Sequence, residues 1–273
     1  MQADLANLLQ QIIQITKEVG DGLIGYFGQT NEKLNLRLKH DTTPLTDADL
    51  YANDLIELRL GELTPEIPLI SEESVHVEFS TRQKWERYWL VDPLDGTRGF
   101  LEHCPEFTIN IALIDHHVPI LGVIYAPVLK LFYYAGWKLG AFRKHGDGPE
   151  ESITTTPLNW QSYRITLGRH ARGTKYAQAP GVKMLRMNSS LKLGLLAEGK
   201  ADIYPRFGEA GEWDTAAGQC VLEEAGGKVV DLNGHRLQYN TKASLVNPPF
   251  IAFGDASQAE RILQVIQAIR RNP

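Results

Sequence analysis

Trp89-Leu90-Val91-Asp92-Pro93-Leu94-Asp95-Gly96-Thr97 sets two carboxylates, a carbonyl and a hydroxyl at the end of an apolar run. The run from Arg87 to Val91 has the length of a buried strand and delivers Asp92 to its C-terminal end. Pro93 fixes φ and biases Asp92 toward extended backbone. The chain is then expected to turn sharply and bring Asp95 back beside Asp92. Gly96 lets the backbone approach a ligand closely. Thr97 adds a hydroxyl, and its amide is placed to open a short helix facing an anion. Two carboxylates and a carbonyl in one turn are hard oxygen ligands of the kind Mg²⁺ takes. Taken by itself, the segment is equally an Asp-Pro turn closed by Asx hydrogen bonds.

Two further acidic segments stand upstream and downstream. Ile70-Ser71-Glu72-Glu73-Ser74 ends another short apolar run, and alone it is a solvated acidic turn. Trp213-Asp214-Thr215-Ala216-Ala217-Gly218 puts Asp214 where an N-cap belongs, before the Ala217, Val221 and Ala225 face of a helix. Cys220 lies within that helix and reads as a small buried hydrophobe rather than a nucleophile.

The surrounding pattern frames these segments. Leu5, Leu8, Leu9, Ile12, Ile13, Val19 and Leu23 recur at helical spacing, predicting one long amphipathic helix over 3–27. Thr46-Asp47-Ala48-Asp49 has the form of a capping box and opens a second helix, expected to stop at Gly61. The period then shortens. Pro68–Ser71, Arg87–Val91, Phe107–Ile114, Pro119–Tyr125 and Leu131–Ala135 predict a largely antiparallel sheet. The polar stretch Lys144–Pro157 is the expected boundary between an N-terminal α+β half (1–150) and a C-terminal α/β half (151–273). In the second half, strand and helix signals alternate: 163–167, 190–198, 201–204, 214–224, 228–231, 250–253, then a last helix from Ser257 with a Ser257-x-x-Glu260 box.

Composition removes several function classes. The chain has 273 residues, with 28 Lys+Arg against 33 Asp+Glu, a net charge of −5. A general binder of nucleic acid polymers shows a basic excess, so that class is disfavoured. Hydrophobic residues at 43% and charged ones at 22% describe a folded soluble chain. Cys104 and Cys220 alone make neither a disulfide framework nor a cysteine zinc site. The first basic residue is Lys17, and the densest apolar run, Ile109–Ile114, is six long. Neither a signal peptide nor a transmembrane segment is expected, and the location expected is cytoplasmic, with peripheral association at the inner membrane face left open.

Together, the three acidic segments resemble a family. Glu72-Glu73-Ser74, Asp92-Pro93-Leu94-Asp95-Gly96-Thr97, and Trp213-Asp214-Thr215-Ala216-Ala217-Gly218 followed by Glu224-Ala225-Gly226-Gly227 resemble the signature of the inositol monophosphatase superfamily. Asp41-Thr42-Thr43-Pro44-Leu45-Thr46-Asp47-Ala48-Asp49, Phe107-Thr108-Ile109-Asn110, Ser189-Ser190-Leu191-Lys192 and Tyr204-Pro205-Arg206-Phe207-Gly208 are similar to its 3′(2′),5′-bisphosphate nucleotidase branch. The likeness runs from the first helix to about residue 250. Two places depart from the branch: Gly168-Arg169-His170 replaces a serine-rich version, and Arg98-Gly99 follows Thr97 where Lys-Glu is common.

The resemblance implies a layered α/β/α/β/α sugar-phosphatase fold. It implies Mg²⁺, two or three ions per site, and sensitivity to Li⁺. The reaction implied is hydrolysis of the 3′-phosphate of adenosine 3′,5′-bisphosphate, by direct attack of water without a phosphoenzyme. By the same resemblance Glu72, Asp92, Asp95, Asp214 and the Leu94 carbonyl hold metal. Asp49 and Thr97 activate water, with Glu72 also in the catalytic set. The substrate-binding set takes in Glu72, Leu94, Asp95, Gly96, Thr97 and Asp214, while Ser189, Lys192 and Arg206 hold the nucleotide and its spared 5′-phosphate and His170 packs near the base. A small-molecule nucleotide bisphosphate is the expected partner, and the enzyme is expected as a monomer or homodimer. An inositol or sugar monophosphatase is the alternative within the superfamily, and a non-catalytic nucleotide- or metal-binding regulator is the alternative outside enzymes.

Overall fold

The computed structural model describes residues 2–39, 43–74, 77–171 and 174–271; Asp41 and Thr42 of the segment leading to Asp49 lie outside them. Among the described residues the chain forms a seven-stranded sheet, a five-stranded sheet and a short hairpin of Arg37–Leu38 with Pro44–Leu45. The seven strands run in spatial sequence Leu69–Ser71, Arg87–Asp95, Thr108–Asp115, Val118–Ala126, Leu131–Gly136, Gly140–His145 and Glu150–Ile153. Only the first pair is parallel.

Alternation along the strands decides the layering. In Arg87–Asp95, Trp89 and Val91 face one side, against Ile12, Val19 and Leu23 of helix Gln2–Tyr26 and Ala52 and Ile56 of helix Asp47–Leu63. Tyr88 and Leu90 face the other, against Leu193 and Leu196 of helix Leu191–Ala197 and Ala217 and Val221 of helix Ala216–Glu224. Alternate side chains point to opposite faces, and in the inner strands both sets are apolar, as a sheet sandwiched between helix layers requires. The same inner helices rest on Tyr204, Phe250 and Ala252 of the mixed five-stranded sheet. The far face of that sheet, with Ile165, Ile203, Ile251 and Phe253, is covered by Ile262 and Ile266 of helix Ala259–Arg271. The layers are thus helix, sheet, helix, sheet, helix.

Several local expectations differ from the structure. Gly61 does not stop the second helix, which runs to Leu63 and ends before Pro65. An exposed glycine in a last turn costs ~1 kcal/mol, less than a packed helix gains. The polar stretch after Lys144 is a hairpin, with Gly146 at its turn (φ 55°) and Glu150–Ile153 as an edge strand. Ser257 does not cap the last helix; Asp255 accepts its backbone N–H at 3.1 Å instead and caps a short 3₁₀ turn.

Close packing under the inner helices yields a first prediction. A Cβ at Gly122 would meet the Ala217 carbonyl oxygen at 2.4 Å and the Cys220 Cβ at 2.9 Å. Both belong to the helix that follows Asp214, and a backbone oxygen has no rotamer to yield. Gly122→Ala is expected to destabilise the protein by ~1–3 kcal/mol, read as a lower denaturant midpoint. An unchanged midpoint would mean that this helix is free to shift.

Candidate active site

The strand carrying Asp92 does not turn where the sequence suggested. It stays paired with Thr108–Asp115, Asp92 opposite Asn110 and Asp95 opposite Thr108. Pro93 and Leu94 on one strand thus stand opposite Ile109 alone on its partner, which is a one-residue bulge. The extra residue reverses the alternation, so Asp92 and Asp95 point to the same side although three positions apart. Pro93, which lacks an N–H, is tolerated there because the ladder is already interrupted. Gly96 follows at φ 97° and Thr97 opens the short helix Thr97–Leu101.

Asp92 is fully buried. Its Oδ1 accepts the Leu94 N–H at 3.1 Å, and its Oδ2 has no partner among the described residues. One oxygen each from Glu72, Asp92 and Asp214 lies within 4.8 Å of the others. Burial raises the Asp92 carboxyl well above its usual range, and Glu72, Asp95 and Asp214 push it the same way. Asp214 is raised by burial too, then by Asp95 and Glu72. Like charges gathered in a dry site are costly unless a cation or protons join them. The orphaned Asp92 oxygen and the all-carboxylate donor set fit a hard divalent ion.

Asp214 is not the helix cap that its position suggested. Thr215 occupies that place without a side-chain bond to the helix N–H groups, and Asp214 Oδ2 instead accepts the Gly211 N–H at 3.0 Å. Asp95 lies outside the tight triad, its Oδ2 held by Ser190 Oγ at 2.8 Å and by Thr108 and Asn110 at 3.4 Å. Ser190 Oγ also reaches the Asp214 carbonyl at 2.9 Å, coupling the two segments.

Asp49 serves two structures at once. Oδ2 accepts the Thr46 N–H at 2.7 Å and its hydroxyl at 2.6 Å, completing the capping box. Oδ1 accepts the Thr97 hydroxyl at 3.1 Å, a hydroxyl that also lies 3.3 Å from the Leu94 carbonyl. Burial raises the Asp49 carboxyl, and the bonds from Thr46 and Thr97 offset part of the rise.

Beside the cluster, Asp95, Gly96, Ser189, Lys192, Arg206 and Asp214 line one cleft, with His170 at its rim. Ser189 Oγ donates to the Asp95 carbonyl at 2.9 Å. Lys192 is buried; its ammonium donates to the Ser189 carbonyl at 2.5 Å and lies 5.3 Å from the Tyr204 ring centre. Arg206 donates to the Glu209 carbonyl, while its Nε is buried without a partner among the described residues. His170 is largely exposed and sits 3.2 Å from Glu102.

Sequence reasoning missed Lys39, whose ammonium bridges Glu72 at 2.7 Å and Glu73 at 2.6 Å. It missed the Asn53 carboxamide, which accepts from Ser71 at 2.7 Å and so braces the turn bearing Glu72. It also left Asn110 and Ser190, the supports of Asp95, without roles. A polar residue at an inward position of an apolar strand, as Asn110 is, was the one signal available for them.

A family model for the inositol monophosphatase family matches residues 4–271. The chain is 38% identical to the 3′(2′),5′-bisphosphate nucleotidase CysQ of Aggregatibacter actinomycetemcomitans, over 90% of this chain and 92% of that one. It is 40% identical to the protein of the same name from Escherichia coli K12, over 89% and 98%. Among solved structures, CysQ from Bacteroides thetaiotaomicron superposes with a TM-score of 0.79 at 32% identity, covering 92% of this chain and 97% of that chain.

Proposed function

This chain belongs to the inositol monophosphatase family, and we propose that it hydrolyses the 3′-phosphate of adenosine 3′,5′-bisphosphate, releasing AMP and inorganic phosphate. One observation carries the reading. Asp95 and Asp214 belong at once to the acidic cluster and to a cleft whose inner wall holds Lys192 and Arg206. An acidic centre beside a buried lysine and a half-buried arginine suits a substrate with two phosphates, one cleaved and one gripped. A phosphomonoester of an uncharged polyol leaves nothing for those cations to hold. The names of the relatives at 38% and 40% identity support the same choice.

Glu72, Asp92, Asp95, Asp214 and the Leu94 carbonyl are the residues that would hold metal; their oxygen character suits Mg²⁺, and two or three ions is the number the family resemblance implies. Such ions neutralise clustered carboxylates, acidify water and stabilise charge on a leaving oxygen. The chain's own groups do the rest. Thr97 Oγ orients the attacking water and passes its proton to Asp49 Oδ1, a carboxylate that burial has made more basic. Ser190 holds Asp95 and the Asp214 backbone in one register. Ser189, Lys192 and Arg206 seat the 5′-phosphate, and His170 flanks the base at the rim. No helix among the described residues is long and apolar enough to cross a membrane, and the two free cysteines fit a cytoplasmic location.

The test is phosphate release from adenosine 3′,5′-bisphosphate and from inositol 1-phosphate, each with Mg²⁺ and with chelator. A preference for inositol phosphate would replace the nucleotidase reading with a polyol phosphatase. No release from either would leave a binding protein.

Lys192 gives a sharper prediction. Charge-assisted hydrogen bonds contribute ~1.5–3 kcal/mol each, so Lys192→Ala is expected to lower kcat/KM for the bisphosphate by roughly 10–150-fold. Inositol 1-phosphate turnover should hardly move. Burial pushes the Lys192 ammonium down to about 8, and the Arg206 charge acts in the same direction, against the pull of Asp95. The group is therefore charged below that pH and neutral above it. The bisphosphate's kcat/KM should fall above pH 8 more steeply than that of inositol 1-phosphate, and the difference should vanish in Lys192→Ala. Parallel profiles in the wild type would remove Lys192 from the phosphate seat.

A further inference from the structure

Glu106 is a buried carboxylate that the mechanism leaves unused. It lies 6% exposed, just before strand Thr108–Asp115 of the seven-stranded sheet, and it lines the cleft. Both of its oxygens reach across to the other sheet. Oε2 accepts Arg169 Nε at 2.8 Å and the Asn188 backbone N–H at 3.0 Å, and Oε1 accepts Arg169 Nη2. Arg169 follows strand Tyr163–Leu167 and Asn188 follows Val182–Arg186, which pair in parallel, so Glu106 clamps two adjacent strand ends at once. Further bonds brace the same corner. Arg169 N–H donates to Asn188 Oδ1 at 3.1 Å, and Arg186 donates to the carbonyls of Gly168 at 2.9 Å and Ala171 at 2.6 Å.

We propose that Glu106 is a positioning residue for the nucleotide: through Arg169 and the Asn188 amide it holds Gly168, His170 and Ser189 at the spacing that admits the base-bearing end of the substrate. The inference rests on the nucleotidase reading. Gly168, His170 and Asn188 line the cleft, whereas the Arg169 guanidinium is committed to Glu106. Because a bidentate guanidinium neutralises it, a carboxylate can stand in a cleft for a polyanion without repelling it. Burial acts to raise Glu106, but the Arg169 and Asn188 hydrogen bonds outweigh it and hold the carboxyl below its usual range.

Glu106→Gln keeps the shape but turns an amide N–H₂ toward a donor, either the Arg169 fork or the Asn188 N–H. The expected result is a KM for adenosine 3′,5′-bisphosphate raised about tenfold or more with kcat within about threefold, and little change in either constant for the base-free inositol 1-phosphate. Arg169→Gln, at a half-exposed side chain that folding tolerates, should give the same shift, and the double variant should add little to either. Glu106→Asp, which keeps the charge, should recover part of the loss. An unchanged KM in both single variants overturns the role, as does an equal fall in kcat on both substrates, which marks a merely structural part. A wild type inactive on the bisphosphate but active on inositol phosphate would overturn the nucleotidase reading and this role with it.

Discussion

Asp92→Asn is expected to lower turnover by roughly 10³-fold or more while leaving the metal-free protein no less stable than the wild type. Several kcal/mol of charge stabilisation by a divalent ion corresponds to losses of that order when the ion is misplaced. The stability half of the prediction follows from electrostatics. Two like charges ~4 Å apart repel by ~4 kcal/mol at an effective dielectric of 20, and Asp92 faces Glu72 and Asp214 within a triad whose oxygens lie within 4.8 Å. Burial and those neighbours raise its carboxyl on folding. A group raised in this way binds its proton more tightly in the folded state, so metal-free stability falls as pH climbs past the ordinary carboxylate range. An amide has no such penalty, and the variant's metal-free melting curve should depend less on pH. Saturating Mg²⁺ should raise the wild-type Tm, by the equivalent of ~2.7 kcal/mol at a hundredfold excess over Kd, and the variant's by much less. Wild-type kcat at saturating Mg²⁺ would remove Asp92 from the metal set.

The contrast between Asp92 and Asp214 shows how far local sequence reached. The apolar strand before Asp92 was legible because a short continuous apolar run is a property of the segment alone. The bulge at Pro93-Leu94 was not, because it is defined by Asn110 and Thr108 on a strand some fifteen residues on. Asp214 stood at a cap position before a clear helix, yet it turns back to Gly211 and toward the acidic cluster. Its direction is set by the Gly211 N–H in the turn before the helix and not by the helix N-terminus. Lys39 carried no signal, since its segment has no period and its partners, Glu72 and Glu73, lie more than thirty residues away. Strands Glu150–Ile153 and Val182–Arg186 were missed for a different reason. Both lie at sheet edges, half exposed, and Arg143 pairs with Glu151 where a core strand would carry apolar side chains. Charged side chains that keep an edge from pairing with another chain erase the alternation that betrays a strand.

Asp49→Asn is expected to lower kcat by about 10²–10⁴-fold, the range of a general base lost, and to cost some stability as well. The carboxylate has two oxygens with separate partners: Oδ1 takes the Thr97 hydroxyl, and Oδ2 takes the Thr46 backbone and hydroxyl. A single substitution disturbs both, so loss of activity in Asp49→Asn alone would not separate the proton acceptor from the helix cap. Thr46→Ala separates them. It removes the hydroxyl that accepts the Ala48 N–H at 3.2 Å and donates to Asp49 Oδ2 at 2.6 Å, but it leaves the Thr97 bond to Oδ1 and the Thr46 backbone bond to Oδ2 in place. Losing an N-cap side chain costs ~0.5–2 kcal/mol. Thr46→Ala should therefore melt lower with kcat within several-fold of wild type, while Asp49→Asn should lose kcat out of proportion to its own melting shift. Thr97→Val, isosteric but without the hydroxyl, should share the kcat loss with little change in KM. If the rates of all three variants instead tracked their folded fractions at the assay temperature, Asp49 would be a cap that happens to border the site, and the proton would have to leave by another route.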